Sequence, residues 1–389
     1  AVLSVFLLFL CLHLSLNMRT LALILTCTAL LCVGRRLQTF ETKKAQEDIK
    51  VLQSLLLALN SAAFRGIAGG RRLSTAKMTA ASESDRTLPD SFAAGRVAVI
   101  TGAASGLGKA AALKCAALGM KVCLADIDEA DLSTTAGECG NIAANGAADI
   151  LSMRTDVSNL ADVQALKAAV YERFGETSFL LNNAGTGIGS ASALKDLDGW
   201  KKNLDVNLYG ALHMLQAFVP SMLEQKTRCT IVNTGSKQGL TCPPGNLAYN
   251  VGKAGLKVIT DGLQHELRGS EENAGRVTAH LFVPGWVNTM LARNYFRELK
   301  GDAFDSDADV PWSTDKPAAG AWMPDQTIDY LFQKISEEKF YIICPDNDVS
   351  EEMDKKRIAW AAGDIIERDV PLSRWDPAYK ETFAKYMEQ

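Results

Sequence analysis

The sequence predicts an α/β protein: a doubly wound, parallel, seven-stranded sheet with helices on both faces, giving three αβα layers. Three observations predict it. From residue 96 onward, short apolar runs without polar alternation recur between segments of helical period, the pattern of strands buried on both faces. The first run passes directly into a glycine-rich turn and a helix, and the second ends on an aspartate. Composition permits the core this needs, since 47% hydrophobic and 22% charged residues are ordinary for a globular chain.

In chain order, RVAVIT (96–101) is the first strand, and GKAAALKCAALG forms the helix behind the glycine turn. KVCLADI (121–127) is the second strand and DILSMRTDV (149–157) the third, followed by the amphipathic LADVQALKAAVYERF. SFLLNNAG (178–185) is the fourth, and helical period then runs from Leu194 to Leu223. CTIVNTGS (229–236), RVTAHLFVPG (276–285) and FYIICP (340–345) complete the set. Strands separated by helices imply parallel crossovers and a sheet covered on both sides. The expected organisation is an extension over residues 1–90, an α/β domain over 91–345, and a helical tail over 346–389 packed on the domain or on a partner subunit.

The first 34 residues differ in kind from the rest. AVLSVFLLFLCLHLSL and TLALILTCTALLCVG flank Asn17-Met18-Arg19, and each is shorter than the ~20 residues of a membrane span. From Val51 to Ser82 the chain carries Arg65, Arg71, Arg72 and Lys77 with no acidic residue, a transit-peptide composition. Three readings stand. A signal followed by a transit-like stretch suits an organelle presequence (plastid or mitochondrion), and SAAFRG resembles the Phe-centred cleavage site of algal secondary-plastid precursors. A membrane anchor making contact through residues 1–34 is the second. The third is an over-extended or incomplete frame starting at Met18 or Met78, with a cytoplasmic product.

Charge and composition also exclude functions. A net charge of -4 with no basic stripe argues against nucleic acid as a partner. The nine cysteines form no CxxC pair and no cluster at metal-ligand spacing, so buried free thiols are expected, with no disulfide framework and no metal. His213 and His265 fit helix faces and His280 a strand, and none is assigned a role.

TGAASGLG (101–108) reads G-x-x-x-G-x-G through Gly102, Gly106 and Gly108. Glycines there permit a tight turn and close approach of backbone to a pyrophosphate, and the N–H groups at the helix start favour an anion. The next strand ends in Asp126, where a carboxylate can take both ribose hydroxyls of an adenosine and repel a 2′-phosphate. The residues after it, Ile127-Asp128-Glu129, offer no cation. NAD is therefore the expected cofactor, with NADP the alternative. Two Tyr-x-x-x-Lys pairs occur, YNVGK (249–253) and YLFQK (330–334). Tyr330 lies in an amphipathic segment with Ile328, Leu331 and Ile335 and has no strand-end serine before it, so it reads as helix surface.

The spacing G-x-x-x-G-x-G, in place of G-x-G-x-x-G, resembles the short-chain dehydrogenase/reductase family, and that family's landmarks recur in order between about residues 94 and 345. Thr155-Asp156-Val157 looks like the adenine contact, and Asn182-Asn183-Ala184-Gly185 matches NNAG. Asn207 in DVNLYG and Ser236 in IVNTGS match the tetrad asparagine and serine, and Pro284-Gly285-Trp286-Val287-Asn288-Thr289 matches PGxVxT. Tyr249 follows Ser236 by 13 residues (249 − 236), the family's own separation. Gly235 and Asn250 stand where the family often has serine, and neither change removes a reacting group.

The resemblance implies a Rossmann fold and hydride transfer between a nicotinamide cofactor and a secondary alcohol or ketone. It implies Asn207, Ser236, Tyr249 and Lys253 as the catalytic set. The implied cofactor contacts are Gly102, Ser105, Gly106, Leu107, Gly108, Asp126, Ile127, Asp156, Val157, Asn183, Ala184, Gly185, Tyr249, Lys253, Pro284, Gly285, Val287 and Thr289. A phenol ionises near ~10, so Tyr249 needs the Lys253 ammonium one helical turn away to act as a base. Ser236 would hold the substrate oxygen, and Asn207 a water linking Lys253 to solvent. The resemblance also makes 91–345 the catalytic domain and residues 290–324, which follow PGxVxT, a mobile substrate lid; its Tyr295, Phe296, Trp312, Trp322 and Met323 point to an apolar small-molecule substrate, or else pack the lid itself or an oligomer contact. A homodimer or homotetramer is expected. The rivals are an organellar NADPH-dependent ketoreductase and a nucleotide-sensing protein that keeps the fold without turnover.

Overall fold

The computed structural model describes residues 87–389 other than 188, 292, 293, 295, 296, 298, 299, 304–317 and 368. The readings made of residues 1–86, and of Tyr295, Phe296 and Trp312, lie outside the described residues. Chain order is β1 (Val97–Thr101), α1 (Gly106–Ala117), β2 (Lys121–Asp126), α2 (Glu129–Ile142), β3 (Ile150–Arg154), α3 (Leu160–Phe174), β4 (Phe179–Asn182), α4 (Leu197–Leu204) and α5 (Ala211–Glu224). It continues through β5 (Cys229–Thr234), α6 (Leu247–Gly269), β6 (Val277–Val283), α7 (Pro324–Ser336), β7 (Tyr341–Ile343), α8 (Glu351–Ile366) and α9 (Lys380–Glu388).

The seven strands form one sheet in the order β3-β2-β1-β4-β5-β6-β7, parallel at every pairing. The absence of polar alternation in the sequence has its cause here. Alternate side chains leave a strand on opposite faces, and both faces are covered. Ala98 and Ile100 of β1 join one core with Ala111 and Cys115 of α1 and Leu331 and Phe332 of α7. Val97 and Val99 join the other with Leu166 and Val170 of α3 and Met214 and Phe218 of α5. The first core extends back before β1, where Phe92 is buried and Leu88 packs against it.

The single helical run expected from Leu194 to Leu223 is interrupted. Between α4 and α5 the backbone opens into a wider π-helical turn, Asp205–Gly210. Such turns insert a residue into the helical ladder and turn the flanking side chains, and this one carries Asn207. Hydrophobic periodicity does not register it, because the apolar face continues on either side.

The order of the sheet decides where a ligand can lie. From β1 the chain winds outward to β3, then returns to β4 on the opposite side of β1. The loops leaving β1 and β4 therefore diverge, and a crevice opens at their carboxyl ends, the topological switch point. Below it, Asn182 Nδ2 donates to Asn233 Oδ1 at 2.8 Å and Asn233 Nδ2 donates to Thr260 Oγ1 at 3.0 Å. Thr260 in turn donates to the Leu256 carbonyl at 2.7 Å. This buried polar chain fixes β4, β5 and α6 relative to one another. Replacing Asn233 with Ala leaves the Asn182 amide without its acceptor and is expected to cost about 1–3 kcal/mol, measured as a lower midpoint in urea unfolding.

Candidate active site

The glycine turn after β1 is tight because two positions exclude a side chain. Gly102 has φ +67°, and a Cβ there would lie 2.9 Å from Ala184 Cα. A Cβ on Gly108 would lie 2.0 Å from the Gly102 carbonyl oxygen. Helix α1 thus begins pressed against the loop that follows β4. Asn183 ties that loop down, since Asn183 Nδ2 donates to the Thr101 carbonyl at 3.2 Å, and the Asn183 and Ala184 amides both donate to Thr101 Oγ1 at 3.0 Å. Ser105 precedes α1 in extended conformation without a side-chain cap bond, and Gly106 and Leu107 begin the helix. This is a backbone surface at a helix N-terminus fit for a pyrophosphate.

Asp126 ends β2 beside this turn. Its Oδ2 accepts from Ala104 N at 2.9 Å and its Oδ1 from Asp128 N at 3.1 Å, so the carboxylate is held by the turn it borders. Ile127 next to it is 62% exposed, an apolar side chain open to a ligand. Asp156 is engaged more locally, accepting from Ser158 N at 2.9 Å and Ser158 Oγ at 2.6 Å. Val157 is buried, and its carbonyl meets His213 Nδ1 at 3.0 Å. His213 therefore packs this loop from below.

Tyr249 and Lys253 lie on the first turns of α6, and Ser236 in the loop after β5. Ser236 is near enough to Tyr249 to favour its ionised form, and Ser236 Oγ accepts from Gln238 N at 3.1 Å. Lys253 is only 4% exposed. Its Nζ donates to the Thr234 carbonyl at 2.8 Å and lies 5.8 Å from the centre of the Tyr249 ring. Burial pulls its pKa from 10.5 down to about 8. Burial pushes the Tyr249 phenol above its ordinary value, and the Ser236 hydroxyl opposes this in part. In the protein's own field desolvation sets the direction, and Ser236, in place of the Lys253 expected from sequence, is the group that opposes it.

Asn207 completes the group. Its Oδ1 accepts from Thr186 N at 3.1 Å and its Nδ2 donates to the Thr186 carbonyl at 2.8 Å. Gly185 separates it from Lys253, since a Cβ there would lie 2.9 Å from Asn207 Oδ1 and 3.5 Å from Lys253 Nζ. The segment after β6 reaches the cofactor end through Thr289, whose Cγ2 would lie 3.1 Å from a Cβ on Gly106. The ends of the expected lid are pinned together. Val287 bridges Trp322 in parallel, Asn288 N donates to the Trp322 carbonyl at 2.9 Å, and Trp322 N to the Trp286 carbonyl at 2.9 Å. The other Tyr-x-x-x-Lys pair is spent elsewhere. Tyr330 donates to Glu351 Oε1 at 2.7 Å, and Lys334 pairs with Glu337 at 3.1 Å.

A family model described as short chain dehydrogenase matches residues 96–300, more than half of the chain. The chain belongs to the short-chain dehydrogenase family. A CLA biosynthesis dehydrogenase/reductase of Lactiplantibacillus plantarum is 30% identical over 284 residues, spanning 69% of this chain and 96% of that protein. An uncharacterized oxidoreductase of Staphylococcus saprophyticus is 35% identical over 197 residues, 51% of this chain and 80% of its own. Among solved structures, a short-chain dehydrogenase/reductase from Burkholderia phymatum in complex with NAD aligns with a TM-score of 0.60 at 34% identity, covering 72% of this chain and 96% of that one. This short-chain dehydrogenase is accordingly an oxidoreductase that uses a nicotinamide cofactor.

Sequence reasoning missed several residues that shape the site. Gly239 sits in the helical turn after Ser236, and a Cβ there would come within 2.6 Å of the Lys253 backbone carbon. The serine loop can therefore rest on α6 only because this residue is glycine. Thr101 and Thr234 serve as anchors, and nothing in their strand-end positions marks them in sequence. Arg154 aligns with Asp126 across β2 and β3 and lies 3.7 Å from Asp162. The signal for Gly239 was a glycine three residues past the serine, which is uninformative without the partner helix.

Two outcomes follow. Gly108→Ala is expected to abolish cofactor binding while the chain still folds, read by isothermal titration with NAD and by circular dichroism. Lys253→Met is expected to remove a burial cost. The folded pKa of about 8 lies below the unfolded 10.5, so the unfolded chain holds more protons in between. The cost is full below pH 8 and fades toward 10.5. The variant should gain in melting temperature relative to wild type most at pH 7, and that gap should narrow as pH rises.

Proposed function

We propose that the protein oxidises a secondary alcohol to a ketone, and runs the reverse, with NAD(H), using Tyr249 as the acid and base. The observation that carries this is the convergence of Tyr249, Ser236 and a buried Lys253 at the carboxyl ends of β4 and β5, beside the glycine turn. The cofactor, when bound, supplies the hydride acceptor or donor and the positive charge of the oxidised nicotinamide. Tyr249 takes the hydroxyl proton of the alcohol at its phenolic oxygen and returns it to the ketone. Ser236 holds the substrate oxygen and donates toward the phenolate. Lys253, held by the Thr234 carbonyl, places its ammonium on the cofactor side of Tyr249 and lowers the cost of the phenolate. Asn207 holds the loop after β4 next to Lys253 through its two bonds to Thr186.

Residues of this chain that would hold the cofactor are Gly102, Ser105, Gly106, Leu107 and Gly108 at the pyrophosphate. Asp126 and Ile127 would take the adenosine ribose and ring, with Asp156 and Val157 at the adenine edge. Asn183, Ala184, Gly185, Pro284, Gly285, Val287 and Thr289 would lie along the nicotinamide half. Preference for NAD is supported by Asp126, a carboxylate fixed by two backbone amides. Arg154 on the neighbouring strand is the feature that favours NADP, and its ion pair with Asp162 works against that use. An apolar substrate is supported by Trp286, Met290 and Leu291, which expose hydrophobic surface after β6, and by Trp322 and Met323 at the base of the lid segment.

The test is turnover of secondary alcohols, sterols, retinoids and acyl ketones with each cofactor. Tyr249→Phe is expected to lower kcat by about 10²–10⁴-fold while NAD still binds; unchanged turnover in that variant would sink the mechanism. Wild type should favour NAD over NADP in kcat/KM, and Asp126→Ala should narrow the difference. A wild-type preference for NADP would overturn the cofactor assignment.

A further inference from the structure

We infer that Lys237, clamped between Asp346 and Asp354, is a positioning residue through which the C-terminal helix α8 sets the place of Ser236. The inference rests on the reading that Ser236 and Tyr249 carry the chemistry.

Lys237 follows Ser236 directly in the chain. Its Nζ lies 2.7 Å from Asp354 Oδ2 and 3.3 Å from Asp346 Oδ2, and the side chains of both carboxylates are almost out of solvent, at 7% and 4% exposure. Asp354 is in the first turn of α8, within the tail that lies beyond the family's own motifs. Asp346 follows β7, and its Oδ2 also accepts the Trp286 amide at 2.9 Å. Trp286 belongs to the PGxVxT segment. One ammonium therefore joins the serine loop, the segment after β6 and the tail.

The arrangement is not a surface ion pair whose loss goes unfelt. A carboxylate buried to this degree stays ionised only beside a cation. Burial raises the Asp354 carboxyl, and Lys237, then Arg357, pull it back down. Without Lys237, Asp354 keeps only the more distant influence of Arg357, and its repulsion by Asp346 is no longer bridged. Moving Asp346 moves the acceptor of Trp286 N. The serine loop loses its side-chain tether at the same time, while the Lys237 carbonyl, which accepts from Leu240 N and Thr241 N at 3.1 Å, still couples residue 237 to the turn that carries Gly239. That turn rests against the backbone of Lys253. Displacement at residue 237 is thus transmitted to Ser236 on one side and to Lys253 on the other. A shift of about 1 Å in a catalytic group is enough to cost as much as 10²-fold in rate.

The experiment compares full-chain Lys237→Met, Lys237→Arg, Asp354→Asn and Tyr249→Phe with wild type, using NAD and 1-phenylethanol or another secondary alcohol the wild type turns over. Lys237→Met is expected to lower kcat at least about tenfold with KM for NAD within about twofold. Lys237→Arg should recover most of the rate, and Asp354→Asn should lower kcat in the same direction. In a crystal structure of Lys237→Met, the Ser236 hydroxyl should be displaced from its wild-type position beside Tyr249. The inference is overturned if Lys237→Met and Asp354→Asn lose melting temperature but keep kcat, or if Ser236 keeps its wild-type position. Tyr249→Phe separates the two readings. Full activity there sinks the chemistry, whereas an inactive Tyr249→Phe beside a fully active Lys237→Met sinks only the positioning.

Discussion

An ammonium group held almost entirely out of water is the constraint around which this site is arranged. Lys253 is buried on the first turns of α6 with no carboxylate counterion among the described residues, and the Thr234 carbonyl is its acceptor. Keeping a charge there is unfavourable, which is why its pKa falls to about 8. It is tolerated because β4, β5 and α6 are fixed relative to one another by the Asn182–Asn233–Thr260 chain beneath. The same burial raises Tyr249. The two groups therefore stand as a neutral phenol and a weakened cation whose balance an added positive charge can tip.

The cofactor end obeys a different constraint, the close approach of backbone to backbone. Gly102 and Gly108 let α1 begin against the β4 loop, and Asn183 and Thr101 hold that loop by hydrogen bonds made mostly to main chain. Asp126, at the end of β2, is held by the turn it borders, accepting the Ala104 and Asp128 amides. Asp156 is more fully a local cap for Ser158. The contrast between the two aspartates could not be read from their shared place after a strand.

The tail, although outside the family's motif-bearing stretch, is joined to the centre of the site. Trp360 of α8 packs against Phe383 and Tyr386 of α9, and Lys356 reaches the Met387 carbonyl at 2.8 Å. These contacts stiffen the helix that presents Asp354 to Lys237. Residues far apart in sequence are here joined by charge in a place water hardly reaches, where an ion pair is little screened.

By itself the sequence determined the strands, their parallel winding, the glycine turn and Asp126. These are local facts, because period, turn chemistry and strand-end position are written in neighbouring residues. It also set YNVGK apart from YLFQK through the 13-residue link to Ser236; Tyr330, expected on a helix surface, instead packs half-buried against the core and donates to Glu351. Tertiary structure decided the rest. The π turn that carries Asn207, the glycine at 239 pressed on Lys253, and the clamp of Lys237 by Asp346 and Asp354 all depend on which distant backbone lies within a few ångströms. The protonation balance of Tyr249 and Lys253 belongs with them. A residue's type gives its ordinary pKa, but how much water is removed from around it is fixed only when the chain closes over it.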